Sequence, residues 1–368
     1  MKTVWAVADS IVSPLGSTTE ENFHHVTLGY SGIKPISSGV AGQEMVLAAV
    51  VEGFNNDADL THFENICVQA LNELFRQTPI DAAKTLLILS TTKGNIDLLE
   101  KGQSDHPRIH LPATGQFLQK RFGFAKHLVI SNACISGSLA IIAARRFIDG
   151  GLYEHVVVAG ADVLSNFVIS GFQSLLALSN EPCRPFDENR KGINLGEGAG
   201  AILLTSRPED FASSVPVRVC GTSSSNDANH ISGPSRTGDE LAAAVNNALH
   251  DAQINKEDVD FISAHGTATL YNDEMEAKAF DLCGLNETPL HSLKGYYGHT
   301  LGAAGVIETI IGIQSLRTGV LIPCLGYDIS GVSRELNVIK RKQHIELNTF
   351  LKTSSGFGGC NAAILLQK

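Results

Sequence analysis

In the stretch SNACISGSLAI, Cys134 follows the β-type run HLVIS and precedes small residues that grade into a helical pattern. A cysteine at a helix start feels the positive end of the helix dipole and nearby unpaired backbone N–H groups, and both favour thiolate over thiol. The competing reading is a buried small hydrophobe, the fate of most free cysteines. Two histidines share this setting. In DFISAHGTATLYNDEMEA, His265 lies just past a strand pattern and is followed by Gly266 and two threonines; in SLKGYYGHTLGAAGVIE, His299 occupies a glycine-flanked turn ahead of a helix. Both fall at carboxyl ends of strands, where ligands enter open parallel sheets. A single histidine is more often a surface or hydrogen-bonded structural residue. Three strand-end loops carrying Cys, His and His together are harder to dismiss as structural residues than any one of them alone.

These loops need a scaffold that brings strand ends together. Short apolar runs recur at TLLILS (85–90), HLVIS (127–131), HVVVAG (155–160), AILLT (201–205), DFISA (260–264) and AAILLQ (362–367). Helical patterns over 63–77, 136–151 and 239–253 lie among them. Strands alternating with helices imply a largely parallel sheet covered on both faces. The opening MKTVWAVADSIVSPLG reads as a first strand and turn, because Asp9, Pro14 and Gly16 interrupt its apolar run too early for a signal peptide.

A duplication is visible. NACISG followed by the helix SLAIIAARRFIDGG matches KGYYGHTLGAAG followed by VIETIIGIQSLRTG, each a small-residue turn before an apolar helix that stops at glycine. The Ser- and Pro-rich stretch TSRPEDFASSVPVR (205–218) marks the join. The expected organisation is therefore an N-terminal half over residues 1–210 carrying the cysteine and a C-terminal half over 211–368 carrying the histidines.

Composition excludes several functional classes. Hydrophobic content of 43% with 18% charged residues describes a well-buried globular protein. A net charge of −10 without any Lys/Arg-rich block argues against a nucleic-acid binder. Seven cysteines without CxxC spacing read as reduced thiols of a cytoplasmic protein. No apolar run reaches the length of a membrane span. HPRIH (106–110) has His-x3-His spacing, but Pro107 blocks a regular helix and no third ligand is near, so it reads as a loop. GEGAG (196–200) leads into a strand and not a helix, which removes the phosphate-cradle reading.

Taken together, NACISG, HGTAT, KGYYGHTLGAAG and GFGGCN resemble the β-ketoacyl-ACP synthases, the decarboxylating condensing enzymes of the thiolase superfamily. The likeness runs nearly end to end, with ADSIVSPLG resembling the family's first strand and RPFDENRKGINLGEGAGAILL its central segment. It implies an α/β thiolase-like fold of two similar halves, each with a mixed sheet, layered α-β-α-β-α. It also implies an acyltransferase that condenses an acyl-cysteine with malonyl-ACP in fatty acid or polyketide/polyene-type biosynthesis. The implied partners are an acyl carrier protein and a second copy of the chain. No metal or cofactor is implied, because phosphopantetheine arrives on the carrier.

Position by position, the resemblance makes Cys134 the nucleophile and His265 and His299 the pair that binds the thioester carbonyl of the malonyl unit. Lys294 and Glu308 become the ordering lysine and its acidic partner, and Asp273 and Glu276 a supporting network. Thr267 and Thr269 are expected to hydrogen-bond the phosphopantetheine arm. Phe357 becomes a gate whose backbone N–H pairs with that of Cys134 as an oxyanion hole. A Glu308 among GVIETIIGI needs a partner, and a buried Lys294–Glu308 pair would satisfy both residues.

The chain also departs from the common elongating pattern. Ser355 replaces a phenylalanine before the gate, Leu270 a proline, Asn272 a glycine, Ile193 a phenylalanine and Lys191 an acidic residue. The stretch 57–64 lacks the basic residues that help dock an acidic carrier, leaving Lys120, Arg121 and Lys126 as candidates. Cys360 reads as a filler rather than a second thiol. Two competing functions remain at this level: a CoA-dependent thiolase-like enzyme, and a non-catalytic chain-length-type partner subunit. The latter typically loses the cysteine that is present here.

Overall fold

A computed structural model describes residues 2–40, 43–53, 57–211, 215–227 and 233–368. Ten strands form its main sheet: β1 (Trp5–Val12), β2 (Leu86–Ser90), β3 (Lys126–Ile130), β4 (His155–Asp162), β5 (Gly198–Thr205), β6 (Val217–Asn226), β7 (Phe261–Ser263), β8 (Leu290–His291), β9 (Thr349–Gly356) and β10 (Cys360–Gln367). Their spatial order is β8-β7-β9-β10-β6-β1-β5-β4-β2-β3. Read outward from the central β6–β1 contact, each half runs through its own first, fifth, fourth, second and third strand. The directions repeat as well, with two antiparallel pairings followed by two parallel ones on each side. So does a defect: the register of β1 slips at Val7 and that of β6 at Cys220, leaving one extra residue in the first strand of each half.

The sheet is mixed, as the resemblance implied, and not largely parallel as the alternation of strands and helices suggested, since only four of its nine strand pairings are parallel. The reason is the chain's return after β4 and β9. Each is followed by a strand that runs back antiparallel and slots between it and the first strand of its half. The Ser- and Pro-rich join falls partly outside the described residues, at 212–214.

Helices α1 (His62–Gln77), α2 (Leu111–Phe122) and α3 (Ser136–Asp149) cover this sheet together with α5 (Asp239–Ala252), α6 (Leu270–Leu282) and α7 (Ala304–Thr318), whereas α4 (Asn166–Ser174) packs through Val168 and Ile169 on Val46 and Ala48 of a separate three-stranded sheet. Helix α1 begins at a complete capping box, Thr61 with Glu64, and buries Phe63, Ile66, Leu71 and Leu74 against the N-terminal half-sheet. Helices α5 and α6 cover the C-terminal half-sheet through Leu241, Val245, Met275 and Phe280. Between the half-sheets lie α3 and α7, whose Ile141, Ile142, Ile307 and Ile310 join one apolar cluster with strands of both halves. The layers are thus α-β-α-β-α. Helix α7 is buried nearly all round, which explains its run of isoleucines without an exposed polar stripe.

The two central helices touch backbone to backbone. A Cβ on Gly305 would lie 2.4 Å from the Ser138 amide nitrogen, and one on Gly137 would lie 2.8 Å from that of Val306. This close approach fixes where both helices begin, and those starts border the site described below. Among the described residues no helix is long and apolar enough to cross a membrane. Gly305→Ala is expected to push the helices apart and lower Tm by about 5 °C or more in a thermal melt, as overpacking of a close-packed contact does; an unchanged Tm would show that the contact is slack.

Candidate active site

Strand β3 ends at Ile130, and the chain turns sharply before α3. Ala133 has φ 44°, a left-handed conformation that costs an L-residue about 1 kcal/mol. The Ser136 hydroxyl holds the turn by accepting from the Asn132 N–H at 2.8 Å and donating to the Ala133 carbonyl at 2.6 Å. This elbow sets Cys134 on the wall of a cavity of ≈ 720 Å³. The end of β9 passes directly behind it: a Cβ on Gly356 would meet the Cys134 nitrogen at 3.2 Å and the Cys360 sulfur at 3.1 Å. The Phe357 backbone N–H points at the Cys134 thiol. Burial pushes that thiol up to about 11, against the opposing pull of Lys294 and Lys93. The two influences weighed from the sequence, a helix start and burial, thus act in opposite directions on this sulfur. Desolvation outweighs what the helix start offers, and Cys134 rests as a thiol.

His265, one residue beyond Ala264 at the end of β7, and His299, ahead of α7, meet at this cysteine. Their ring centroids are 5.1 Å apart at 79°, and the Cys134 sulfur and one nitrogen of each ring all lie within 4.8 Å of one another. The Leu301 N–H donates to His299 Nδ1 at 3.2 Å, so this ring carries its proton on Nε2. That Nε2 and the Nδ1 of His265 are buried without a protein partner. Burial first, and Lys294 next, push both imidazoles well below their ordinary range. Both rings are neutral at physiological pH.

Behind the rings lies a buried charge cluster. Glu308 on α7 pairs with Lys294, and its other oxygen lies 2.7 Å from Lys352 Nζ. Lys294 also donates to the His265 carbonyl at 3.1 Å, and Lys352 to the Ser263 carbonyl at 3.2 Å. Burial raises the Glu308 carboxyl, but the two ammonium groups hold it below its ordinary value. Lys352 escaped the sequence reading; its signal is a lysine inside the otherwise apolar strand run TFLKTSSG.

Glu276 accepts from the backbone N–H groups of His265 at 2.8 Å and Gly266 at 2.6 Å. Asp273 accepts from those of Thr267 at 2.9 Å and Phe186 at 2.7 Å. The two carboxylates thus hold the His265 loop in place. Burial and the neighbouring Asp273 push Glu276 up to about 7. Asp162 is a second residue the sequence reading missed. It accepts from the Gly302 N–H at 2.7 Å and from the Thr92 N–H at 2.9 Å, tying the His299 turn to the end of β2.

Thr267 and Thr269 line the cavity with their hydroxyls 2.8 Å apart. Phe357 is partly exposed and lies on Phe172 of α4, with centroids 5.7 Å apart. Ser355 bonds to Asn361 at 2.8 Å, Ile193 is buried on the cavity wall, and Asn272 donates to Glu276 at 2.9 Å. Lys120, Arg121 and Lys126 are exposed, but none of them lines the cavity. His106 and His110 flank a single 3-10 turn and stand in no candidate metal cluster among the described residues.

Sequence profiles place this geometry. The profile described as "Beta-ketoacyl synthase, N-terminal domain" matches residues 123–210, and "Beta-ketoacyl synthase, C-terminal domain" matches 217–328. Nodulation protein E of Rhizobium leguminosarum bv. trifolii is 30% identical over 81% of this chain and 72% of its own length. The chain belongs to the β-ketoacyl synthase family. The 3-oxoacyl-[acyl-carrier-protein] synthase 2 of Vibrio harveyi is 28% identical over 97% of this chain and 96% of its own. Among solved structures, a chain of the ketosynthase–chain length factor complex from Xenorhabdus doucetiae superposes with a TM-score of 0.91 at 27% identity, covering 100% of this chain and 98% of that one. The thiolase-like fold and the acyltransferase-class condensing function expected from the sequence are thereby shown.

The buried cluster of two lysines and one glutamate carries a net positive charge that disfavours an imidazolium nearby. Titration of the His265 and His299 ring protons by NMR is expected to give midpoints below 6.5. Lys352→Met is expected to raise both midpoints, because a nearby positive charge is removed. A wild-type midpoint at or above 6.5 would contradict this account.

Proposed function

We propose that the protein is a carrier-protein-dependent, decarboxylating 3-oxoacyl synthase that works through an acyl-Cys134 intermediate. The observation that carries this reading is the convergence of the Cys134 sulfur with two neutral imidazoles at the end of a cavity. In the first half-reaction the Cys134 sulfur bonds to the acyl carbonyl, the carbon–sulfur bond to pantetheine breaks, and the thiol proton ends on the departing pantetheine sulfur. The tetrahedral oxyanion accepts from the backbone N–H groups of Cys134 and Phe357. One such donor is typically worth about 3 kcal/mol of barrier.

In the second half-reaction the malonyl thioester carbonyl accepts from His299 Nε2–H and from His265. Loss of carbon dioxide leaves its electron pair as an enolate; two neutral hydrogen-bond donors stabilise that oxygen where a carboxylate would repel it. The enolate carbon then attacks the acyl-cysteine carbonyl and expels the Cys134 thiolate, which takes up a proton from water to restore the resting thiol. No strong base is needed, because decarboxylation makes the carbanion. Thr267 and Thr269 are placed to bond the pantetheine arm. Lys294, Glu308, Lys352, Asp273 and Glu276 position the rings.

The same three atoms would suit a tetrahedral metal, but two features speak against one. His299 Nε2 carries a proton, and the lysines behind the rings make the surroundings positive. Phosphopantetheine, borne by the carrier, is the only prosthetic group this reading requires. A homodimer fits the outer edge of β3, which has no strand partner among the described residues and exposes Leu128. Seven free thiols suit a reducing cytoplasm. The retained Cys134 disfavours a non-catalytic partner subunit. The two-threonine loop and the GHTLGAAG turn disfavour a CoA-dependent thiolase.

Cys134→Gln is expected to lower condensation at least about 10³-fold while malonyl decarboxylation persists, read by product and carbon dioxide release; undiminished condensation would refute the nucleophile. His265→Ala and His299→Ala are each expected to slow decarboxylation about 10²-fold, and to slow acylation of Cys134, followed by intact-protein mass, much less. Equal losses in both half-reactions would remove the division of labour.

A further inference from the structure

We propose that the mouth of the Cys134 cavity is an apolar docking collar for the carrier protein, built from Leu175, Leu176, Leu270 and Tyr271. The inference rests on the carrier-dependent reading above. All four side chains border the cavity that ends at the cysteine. All four face solvent in the free chain: Leu176 is 91% exposed, Tyr271 77%, Leu270 60% and Leu175 44%. They come from two elements, the end of α4 and the first turn of α6, so the patch surrounds the opening rather than running along one helix.

Leu176 is the telling member. Helix α4 ends with the Ala177 N–H donating to the Phe172 carbonyl at 3.1 Å and the Leu176 N–H to the Gln173 carbonyl at 2.9 Å. This is a Schellman-type stop, whose left-handed position strongly favours glycine. Here that position holds a leucine with φ 54°. The chain therefore accepts backbone strain in order to present an apolar side chain almost wholly to water. Strain and apolar exposure kept together at a cavity mouth point to function.

Charge decides what sits there. Among the described lining residues the only lysine and arginine side chains are Arg190 and Lys191. The Arg190 guanidinium is buried and donates to the carbonyls of Asp187, Gly331 and Leu270. Lys191 pairs with Glu181. Among the described lining residues, then, neither cation is left free to meet an acidic surface. A thioester arm that reaches Cys134 must still pass this rim, and the protein bearing the arm must cover it. The occupant is accordingly a carrier protein that offers apolar residues around its pantetheine-bearing serine, with contact area rather than ion pairs holding it.

The test compares malonyl- and acyl-loaded carrier protein from the same host with the same acyl groups on free pantetheine. Leu176→Gly is expected to raise Tm by about 2 °C, because glycine relaxes the left-handed position. The same variant is expected to lower the ratio of kcat/KM for carrier-borne over carrier-free thioester about tenfold. The wild-type KM for the carrier is expected to change less than about threefold between 50 and 500 mM NaCl. An active wild type whose ratio is unmoved by Leu176→Gly and Tyr271→Ser, or whose carrier KM rises tenfold with salt, overturns the collar alone. Loss of dimer mass in Leu176→Glu assigns the patch to a second copy of the chain and overturns it too. A wild type that turns over neither thioester overturns the synthase reading, and the collar with it.

Discussion

Glu308 between Lys294 and Lys352 is the interaction on which the rest of the site depends. All three side chains are almost wholly buried, and an ion removed from water without a partner costs several kcal/mol. Each therefore has to stay where its partners are. Because the three come from α7, from the turn after β8 and from β9, this electrostatic demand locks three separate segments together. The two ammonium groups then use their remaining protons on the carbonyls of His265 and Ser263. One cluster thus helps hold the His265 loop in place, and its net positive charge adds to burial in keeping the neighbouring imidazoles neutral.

The repeated topology explains why such a cluster can face a cysteine from the other half of the chain. Each half carries its third strand into a small-residue turn and then into a central helix, which gives α3 in one and α7 in the other. The two helices pack through Gly137 and Gly305, so their starts lie side by side. Cys134 stands ahead of one start and His299 ahead of the other. What the halves do not share makes the site asymmetric. The loop after β7 brings His265, held by Glu276 and Asp273, while Asp162 at the end of β4 clamps the His299 turn from the opposite half.

Much of this was legible in the chain. The runs at 85–90, 155–160 and 362–367 are strands because their central residues are apolar and buried on both faces. The match between the Cys134 and His299 turns carries the fold's internal repeat. Lys352 was hidden because a lysine within an apolar strand looks like a residue facing solvent, and only the third dimension reveals Glu308 behind it. Asp162 was hidden for the same reason, since its donors come from Thr92 and Gly302, far away in sequence. The alternation of strands and helices alone suggested too parallel a sheet, because it says nothing about the strands of each half that fold back without a long crossover; the resemblance supplied the mixed sheet. The protonation of Cys134 was left between two readings because proximity to a helix start is a local property, whereas desolvation depends on everything packed around the sulfur.

That last point changes how the site works. Cys134 rests as a thiol and both imidazoles rest neutral, so the reactive groups themselves carry no charge before substrate arrives. In the proposed reaction negative charge develops on the thioester oxygen as sulfur attacks, and again as carbon dioxide leaves. Each time it meets donors already in place, namely two backbone N–H groups or a ring N–H, with the net positive cluster behind them. Stabilisation that is preorganised and felt only as charge appears lowers the barrier without holding the resting substrate more tightly. A resting thiolate would instead have spent the positive field before the reaction began. Burial of the sulfur, which works against nucleophilicity in isolation, keeps that field available for the transition states.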